Sequence, residues 1–479
     1  MTNHVFQKSG RHCFQKIVFS TLLFITTIAN TAFTQPAGFD PTGRSGDAPR
    51  QIEPAEPSKP PEFVLPPLDT PPETGPRVTP AVRVWIRDIQ IIGNTVFSNE
   101  ELAAIVAPYI NRELAAEDIE ALRQALTVYY VERGFINSGA IIPDQTLADG
   151  RLTFQIIEGE LTRIHVESSG RLWPGYVKNR LQLDAGPPLN ILELQKRMQL
   201  LQTDPRIERL NAELKPGLSR GQAELDVTVE EAVPYQLWFR FNNYQSPSVG
   251  AERGEVSGVH NNLLGIGDTL SMTLGRSEGV DPKIELGYLI PLNAHETTLN
   301  FQFRKNDFDS VEERFEPLDI ESQSDIYTVS LRHPLIRNLT REFALSLGVE
   351  HLENSTTLLD EPFSFSYGAV DGESQVTALR FSQEYVQRSP IQVFALTSRF
   401  SYGLDLWDAT IHDNSDIPDG EFFAWLGQFQ WIRKLPLWDS QTIFRTDVQL
   451  SNEPLLSLEQ MAVGGRYSVR GYRENQMVR

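Results

Sequence analysis

Between Tyr235 and Ser451, apolar residues fall at every second position in one run after another. Leu299, Phe301 and Phe303 alternate with Asn300, Gln302 and Arg304, and Tyr327, Val329 and Leu331 alternate with Thr328, Ser330 and Arg332. Successive side chains of a strand point to opposite faces, so this period predicts strands with one greasy face and one wet face. The period recurs at Leu270, Met272, Leu274; at Phe343, Leu345, Leu347; at Phe394, Leu396; at Phe423, Trp425, Phe429, Trp431; and at Phe444, Val448, Leu450. About eleven strands are expected, beginning near Tyr235, Ala251, Asp268, Pro282, Glu296, Gln323, Glu342, Glu373, Gln392, Glu421 and Gln441.

A soluble sandwich also alternates, and three details favour a membrane barrel. The wet face carries Arg304, Arg332, Arg380, Arg399 and Arg445, a set of cations suited to a water-filled lumen. Tyr385, Trp407, Trp431 and Trp438 lie near strand ends, where an interfacial aromatic girdle would put them. Short turns such as Pro291 to His295 alternate with long acidic loops, Asp307 to Glu321, Asn354 to Gly372 and Asp405 to Glu421. An open lipid-exposed sheet would leave unsatisfied edges, which predicts closure and an even number of strands.

Ahead of this region the period changes from two to 3.6. Val84 to Ile92 reads as a strand, Gly93-Asn94 as a turn, and Ser98 with Glu101 as a capping box opening a helix with Leu102, Ile105 and Val106. A second helix is expected to follow directly, with Ile119, Leu122, Leu126 and Tyr129 on one face and Gly134 at its C-cap. Strands at Ala140 to Ile142 and at Leu152, Phe154 and Ile156 complete the unit. The order strand, helix, helix, strand, strand then returns. Arg163 to Glu167 is a strand, Tyr176, Val177 and Leu181 mark one helix, and Ile191, Leu194, Met198 and Leu201 mark another. Leu210 to Leu214 and Ala223 to Val229 are strands joined by a Gly217 to Gly221 turn. Such small half-open sheets offer an edge for an extended peptide, or serve as packing spacers.

The first 35 residues have the features of an export signal: basic Lys8, Arg11 and Lys16, an apolar run from Ile17 to Ala29, and small residues near Ala32. The only cysteine, Cys13, precedes that run, which excludes disulfides and thiolate chemistry from the mature chain. Residues 36–80 are proline-rich, with pairs at Pro60-Pro61, Pro66-Pro67 and Pro71-Pro72, and read as an extended tether or a docking ligand. The remainder divides into units at 81–159, 160–232 and 233–479. The formal charge of −20 argues against a nucleic-acid partner. No metalloprotease, phosphate-loop or nucleophile-elbow motif is present. Gly265-Ile266-Gly267-Asp268 reads as a hairpin turn, and Asp413 to Asp419 lacks the oxygen spacing of a calcium loop. No enzyme activity, metal or cofactor is expected.

The strings IQIIGNTVFSNEEL, LTVYYVERGFINSGAIIPDQTLADGRLTFQIIEGEL and VGGRYSVRGY, in that order after the tether, resemble the two-partner secretion transporters, the haemolysin-activator type within the Omp85 superfamily. The resemblance runs from about Val84 to Arg479. It implies two α+β POTRA domains followed by an antiparallel transmembrane β-barrel of about sixteen strands. On that reading Gly464, Gly465, Val469, Arg470, Gly471 and Tyr472 form a loop after the eleventh strand, and about five strands, on the order of 100 residues, would lie beyond Arg479. Phe39 to Ile52 could supply a plug helix. The resemblance implies a monomeric barrel in outer-membrane lipid that captures a large haemolysin or adhesin in the periplasm and exports it unfolded. Arg470 would reach into the lumen toward an acidic mate, or be an ordinary solvated loop residue. A barrel insertase of the same superfamily and a periplasmic peptide-binding protein are the alternatives.

Overall fold

The structure, a computed structural model, describes residues 18–25, 62–64, 83–463 apart from 244, 246, 314 and 437–439, and 477–478. They group into two compact units, Ser58–Pro234 with the loop Leu264–Gly267, and the remainder. Two strands come first in the chain, β1 (Val18–Ile25) and β2 (Glu62–Val64), one in each unit.

The first repeat runs β3 (Val84–Ile86), β4 (Asp88–Ile92), α1 (Asn99–Val106), β5 (Arg112–Leu114), α2 (Ala116–Glu132), β6 (Gly139–Ile141) and β7 (Arg151–Ile157). The expected capping box opens α1. The Ser98 hydroxyl accepts from the Glu101 amide at 3.3 Å, and the Glu101 carboxylate accepts from the Ser98 amide at 2.9 Å. The two helices are not consecutive as expected, because a single turn and β5, paired with β3, intervene. On α2 the buried residues are Leu122, Leu126 and Tyr130, with Ile119 and Tyr129 flanking them. The centre of the apolar face therefore passes through Tyr130, in the i, i+4, i+8 row with Leu122 and Leu126, while the Tyr129 hydroxyl reaches Glu101 at the exposed flank at 3.3 Å; the Tyr130 hydroxyl is satisfied within the unit. It donates to Asn94 Oδ1 at 2.6 Å and lies 3.2 Å from Glu158 Oε1. Glu158 also accepts from the Thr95 amide at 2.7 Å, and a Cβ on Gly93, at φ +81°, would stand 2.5 Å from the Ile156 carbonyl. The strings IIGNTV and IIEGEL are thus two sides of one turn-and-clamp.

The second repeat runs β8 (Glu160–Ser168), α3 (Pro174–Gln182), α4 (Ile191–Leu201), β9 (Ile207–Pro216) and β10 (Gln222–Glu231). Here β10 lies parallel to β8 and antiparallel to β9, just as β7 lies parallel to β4 and antiparallel to β6. Each repeat closes its own core, around Leu122, Leu126 and Phe154 in one and Leu194, Met198 and Leu225 in the other. Backbone bonds join the repeats: the Ile191 amide donates to the Gly134 carbonyl at 2.9 Å, and Leu189 to Gly159 at 2.6 Å. The edge of the second sheet is already taken. β2, in the proline-rich stretch, lies parallel to β9 with Phe63 opposite Ala212.

The other unit is one antiparallel sheet of β11 (Tyr235–Asn242), β12 (Arg253–Asn261), β13 (Thr269–Arg276), β14 (Val280–Pro291), β15 (Thr298–Asp309), β16 (Ile320–Arg337), β17 (Arg341–Leu358), the short β18 (Glu361–Pro362), β19 (Glu373–Arg388), β20 (Gln392–Leu404), β21 (Phe423–Leu435) and β22 (Ser440–Ser451). Each long strand pairs with its sequence neighbour, β18 pairs with β17, and β1 lies along β22. All eleven expected long strands are present. β16 and β17 run further than expected, so the chain between them and their partners is shorter than the loops read from the sequence. The order runs from β1 and β22 to β11, and these ends do not pair among the described residues. Beyond β22, β23 (Ala462–Val463) pairs with β24 (Met477–Val478).

Candidate functional site

In the large sheet the polarity of a soluble protein is reversed. Tyr327, Val329 and Leu331 of β16 are exposed, while Thr328 and Ser330 between them are buried. On β17 Leu347 is 52% exposed while Ser346 is 5% and Glu350 2%. The exposed face is greasy from β11 (Phe239, Phe241) through β13 (Leu270, Met272, Leu274) to β20 (Leu396). Water on the greasy side and protein on the wet side would be the costly arrangement; hydrocarbon outside and an enclosed polar interior removes the conflict. Aromatic side chains on the outer face form two belts. Phe303, Tyr327 and His351 stand side by side, with Trp407 against His351 at 5.8 Å; toward the other end Phe394 stacks on Trp431 at 6.1 Å. Trp438 lies outside the described residues.

The short connections 292–297, 338–340 and 389–391 share one end of the sheet, the end at which Tyr235 enters it. The longer ones, 310–319, 359–372 and 405–422, share the other.

Register places the five arginines singled out in the sequence on the enclosed face. Two of them are held by carboxylates that the sequence reading did not name. Arg332 Nη2 donates to Glu342 at 2.6 Å and its Nε to Glu384 at 3.1 Å. Arg380 is held between Glu350 and Glu459. Arg304 is buried, and Arg399 and Arg445 are half-buried. Further along the sheet the buried Glu255 meets Arg240 at 3.0 Å, Arg253 at 3.4 Å and Lys283 at 3.4 Å. Enclosure explains the pairing, since a guanidinium withdrawn from bulk water is stabilised only by partners that complete its hydrogen bonds. Sequence reasoning missed these carboxylates, although Glu342, Glu350 and Glu384 share the parity of the arginines and were readable by the same alternation.

Gly464, Gly465, Val469, Arg470, Gly471 and Tyr472, and the segment Phe39 to Ile52, lie outside the described residues. What is described is the stem of that loop. After Ser451 the chain turns back along the enclosed face, and Leu455 and Leu456 pack against Ile326, Leu352 and Val376. β23 and β24 then pair on either side of 464–476.

An antiparallel sheet that is apolar outside and polar inside, preceded by two units of POTRA topology, defines the class of Omp85-type outer-membrane β-barrels with periplasmic POTRA domains. The haemolysin secretion/activation protein ShlB/FhaC/HecB family matches residues 221–478 and its POTRA domain of ShlB type matches residues 84–159, and the chain belongs to that family. Outer membrane transporter CdiB of Dickeya dadantii is 24% identical over 466 residues, 95% of this chain and 81% of the relative. CdiB of Escherichia coli is 24% identical over 81% of this chain and 66% of its own length, so the chain spans about two thirds of that relative. Heme/hemopexin transporter HuxB of Haemophilus influenzae is 22% identical over 57% of this chain and 48% of its own length. Among solved structures, CdiB from E. coli superposes with a TM-score of 0.62 at 25% identity, covering 85% of this chain and 75% of that one. BamA from Haemophilus ducreyi, at 14% identity and a TM-score of 0.50, shares the fold. The protein is thus an outer-membrane transporter of the two-partner secretion type, with its POTRA domains in the periplasm.

Proposed function

We propose that this transporter exports one large partner polypeptide, a secreted haemolysin or adhesin, and that the second POTRA sheet receives it as an added strand. The observation that supports the entry step is the seating of β2 on β9. Three residues of an otherwise proline-rich stretch lie in parallel register along that edge, with Glu62, Phe63 and Val64 opposite Asn211, Ala212 and Glu213. An edge that takes one extended segment through main-chain bonds is competent to take another, because such bonds require little of the incoming sequence. Extended chain then moves along the enclosed polar face, whose fixed ion pairs and hydroxyls offer hydrogen bonds without a large apolar surface to which an unfolded chain would adhere.

A photoreactive residue at Glu213, an exposed position of β9, tests this in the native bacterium. Cross-linking to a polypeptide in transit is expected. Export that proceeds with no cross-link at Glu213 would refute capture at this edge.

A further inference from the structure

The outer face of the large sheet turns polar at both ends, and the two ends differ in sign. At the end of the long loops, the outward positions that follow Phe303, Tyr327 and His351 are Lys305, Asp325 and Glu353, adjacent in register. Lys305 is taken by Asp307 at 2.8 Å, so acids predominate there. At the end of the short turns the outward positions are Arg341 of β17, Gln387 of β19, Gln392 of β20 and Arg433 of β21. Register sets Arg341 opposite Gln387 and Gln392 opposite Arg433. Each lies two residues beyond an aromatic of the same face, Phe343, Tyr385, Phe394 and Trp431 respectively. Both arginines are exposed. On the enclosed face at this end the cations are paired, Arg337 with Glu296 and Arg388 with Glu342 at 3.7 Å. Among the described residues no carboxylate pairs with Arg341 or Arg433. Gln387 Oε1 accepts from the Tyr385 hydroxyl at 3.1 Å, which leaves its Nε2 to donate elsewhere. Two uncompensated guanidinium groups with amides between them make an anion-binding row. One step outside an aromatic belt, its height is that of lipid phosphate rather than hydrocarbon.

We propose that Arg341, Gln387, Gln392 and Arg433 bind the headgroup of an anionic glycerophospholipid in the periplasmic leaflet. The short-turn end is the one at which the chain arrives from the POTRA repeats, so it faces that leaflet. In the sheet β17 and β21 are separated by β19 and β20, which sets the two arginines about 14 Å apart across the strands. That span suits a headgroup with its glycerol, or the paired phosphates of diphosphatidylglycerol, better than a lone phosphate ion. A guanidinium fork meets phosphate oxygens two at a time, so the row recognises the phosphate as well as its charge. The acids at the opposite end would repel the same headgroup, which matches the sheet to one leaflet only. The site owes nothing to the transport reading.

The test is native mass spectrometry of the full-length chain in neutral detergent, titrated with phosphatidylglycerol and, separately, with zwitterionic phosphatidylethanolamine. The mass of each complex counts the lipids bound, and the readout is the ratio of the two affinities for the first lipid. A preference of about fivefold or more for phosphatidylglycerol is expected in the parent. In the double variant Arg341→Gln/Arg433→Gln the ratio should fall close to one. Arg341→Lys/Arg433→Lys, which keeps the charge and loses the planar fork, should retain part of the preference. Arg276→Gln, at the end of the long loops where Arg276 meets Asp281 at 2.7 Å, should leave it unchanged. Both arginines of the row are exposed at strand ends, and the ratio is taken on one preparation, so a lower yield of assembled protein does not mimic the effect. Equal affinities in the parent, a preference that survives the double glutamine variant, or one that Arg276→Gln abolishes as fully, would overturn the site.

Discussion

Asp204 shows how much one side chain can carry. Burial by itself would raise its carboxyl, but the Arg206 guanidinium at 3.0 Å and the Tyr176 hydroxyl at 2.6 Å outweigh burial and hold it below the ordinary value of 3.8. Tyr176 moves the other way, raised by burial and then by the neighbouring carboxylate, and so stays protonated; its ring also carries the Arg180 guanidinium at 3.5 Å. Because the folded carboxyl is depressed, its stabilising contribution is complete above the unfolded value and is lost as pH falls through the folded one. The protection of α3 against hydrogen exchange in the whole chain, taken relative to the unprotected rate at each pH, should therefore be constant from neutral pH down to about 5 and should fall below about 4. Asp204→Asn should remove that acid limb and cost about 3 kcal/mol, since it takes away the carboxylate that Arg206 and the Tyr176 hydroxyl share. An unchanged acid limb in the variant would assign the effect to another group.

At the scale of elements, the two POTRA repeats are welded where α2 ends. Gly134 has φ +94°, and a Cβ there would lie 2.6 Å from Asn190 Oδ1, the atom that accepts from the Leu192 amide at 2.9 Å to cap α4. Gly134→Ala should thus strain the left-handed turn and disturb the cap of the next repeat, at a combined cost of about 1–3 kcal/mol, readable as faster exchange at the start of α4 than at its end. In the large sheet the element-level claim is the direction of polarity. Leu347→Arg on the outer face of β17 should destabilise the protein in bilayers by about 2–4 kcal/mol, while Leu347→Phe should change it by less than about 1.5 kcal/mol. Equal costs would place that face in protein rather than lipid.

Elements of this kind were readable because their signals are local. Period two located all eleven long strands, and the Ser98–Glu101 box located α1. The features that escaped are set by partners far along the chain. β5 forms because β3 is there to pair with it, β2 is a strand only because β9 has a free edge, and Arg380 meets an acid 79 positions away. Tyr129 and Tyr130 are equivalent to a hydropathy pattern; the structure separates them, with the Tyr130 hydroxyl reaching inward to Asn94 and the Tyr129 hydroxyl outward to Glu101.

On the scale of the whole molecule, the fold divides the labour of transport. Small sheets, one of them with β2 laid along β9, belong to the periplasmic unit, and an enclosed polar face with a folded-back stem belongs to the membrane unit. The acidic balance of −20 suits both, since it keeps the long loops solvated. A barrel insertase would share the architecture but would differ in what its loss does to the cell. The most direct measurement is the set of extracellular and outer-membrane proteins of the native bacterium with this coding sequence deleted and then restored. The prediction is that a single large polypeptide disappears from the medium and returns on restoration, with the other outer-membrane barrels at unchanged levels. An unchanged medium, or a general depletion of outer-membrane barrels, would contradict the account.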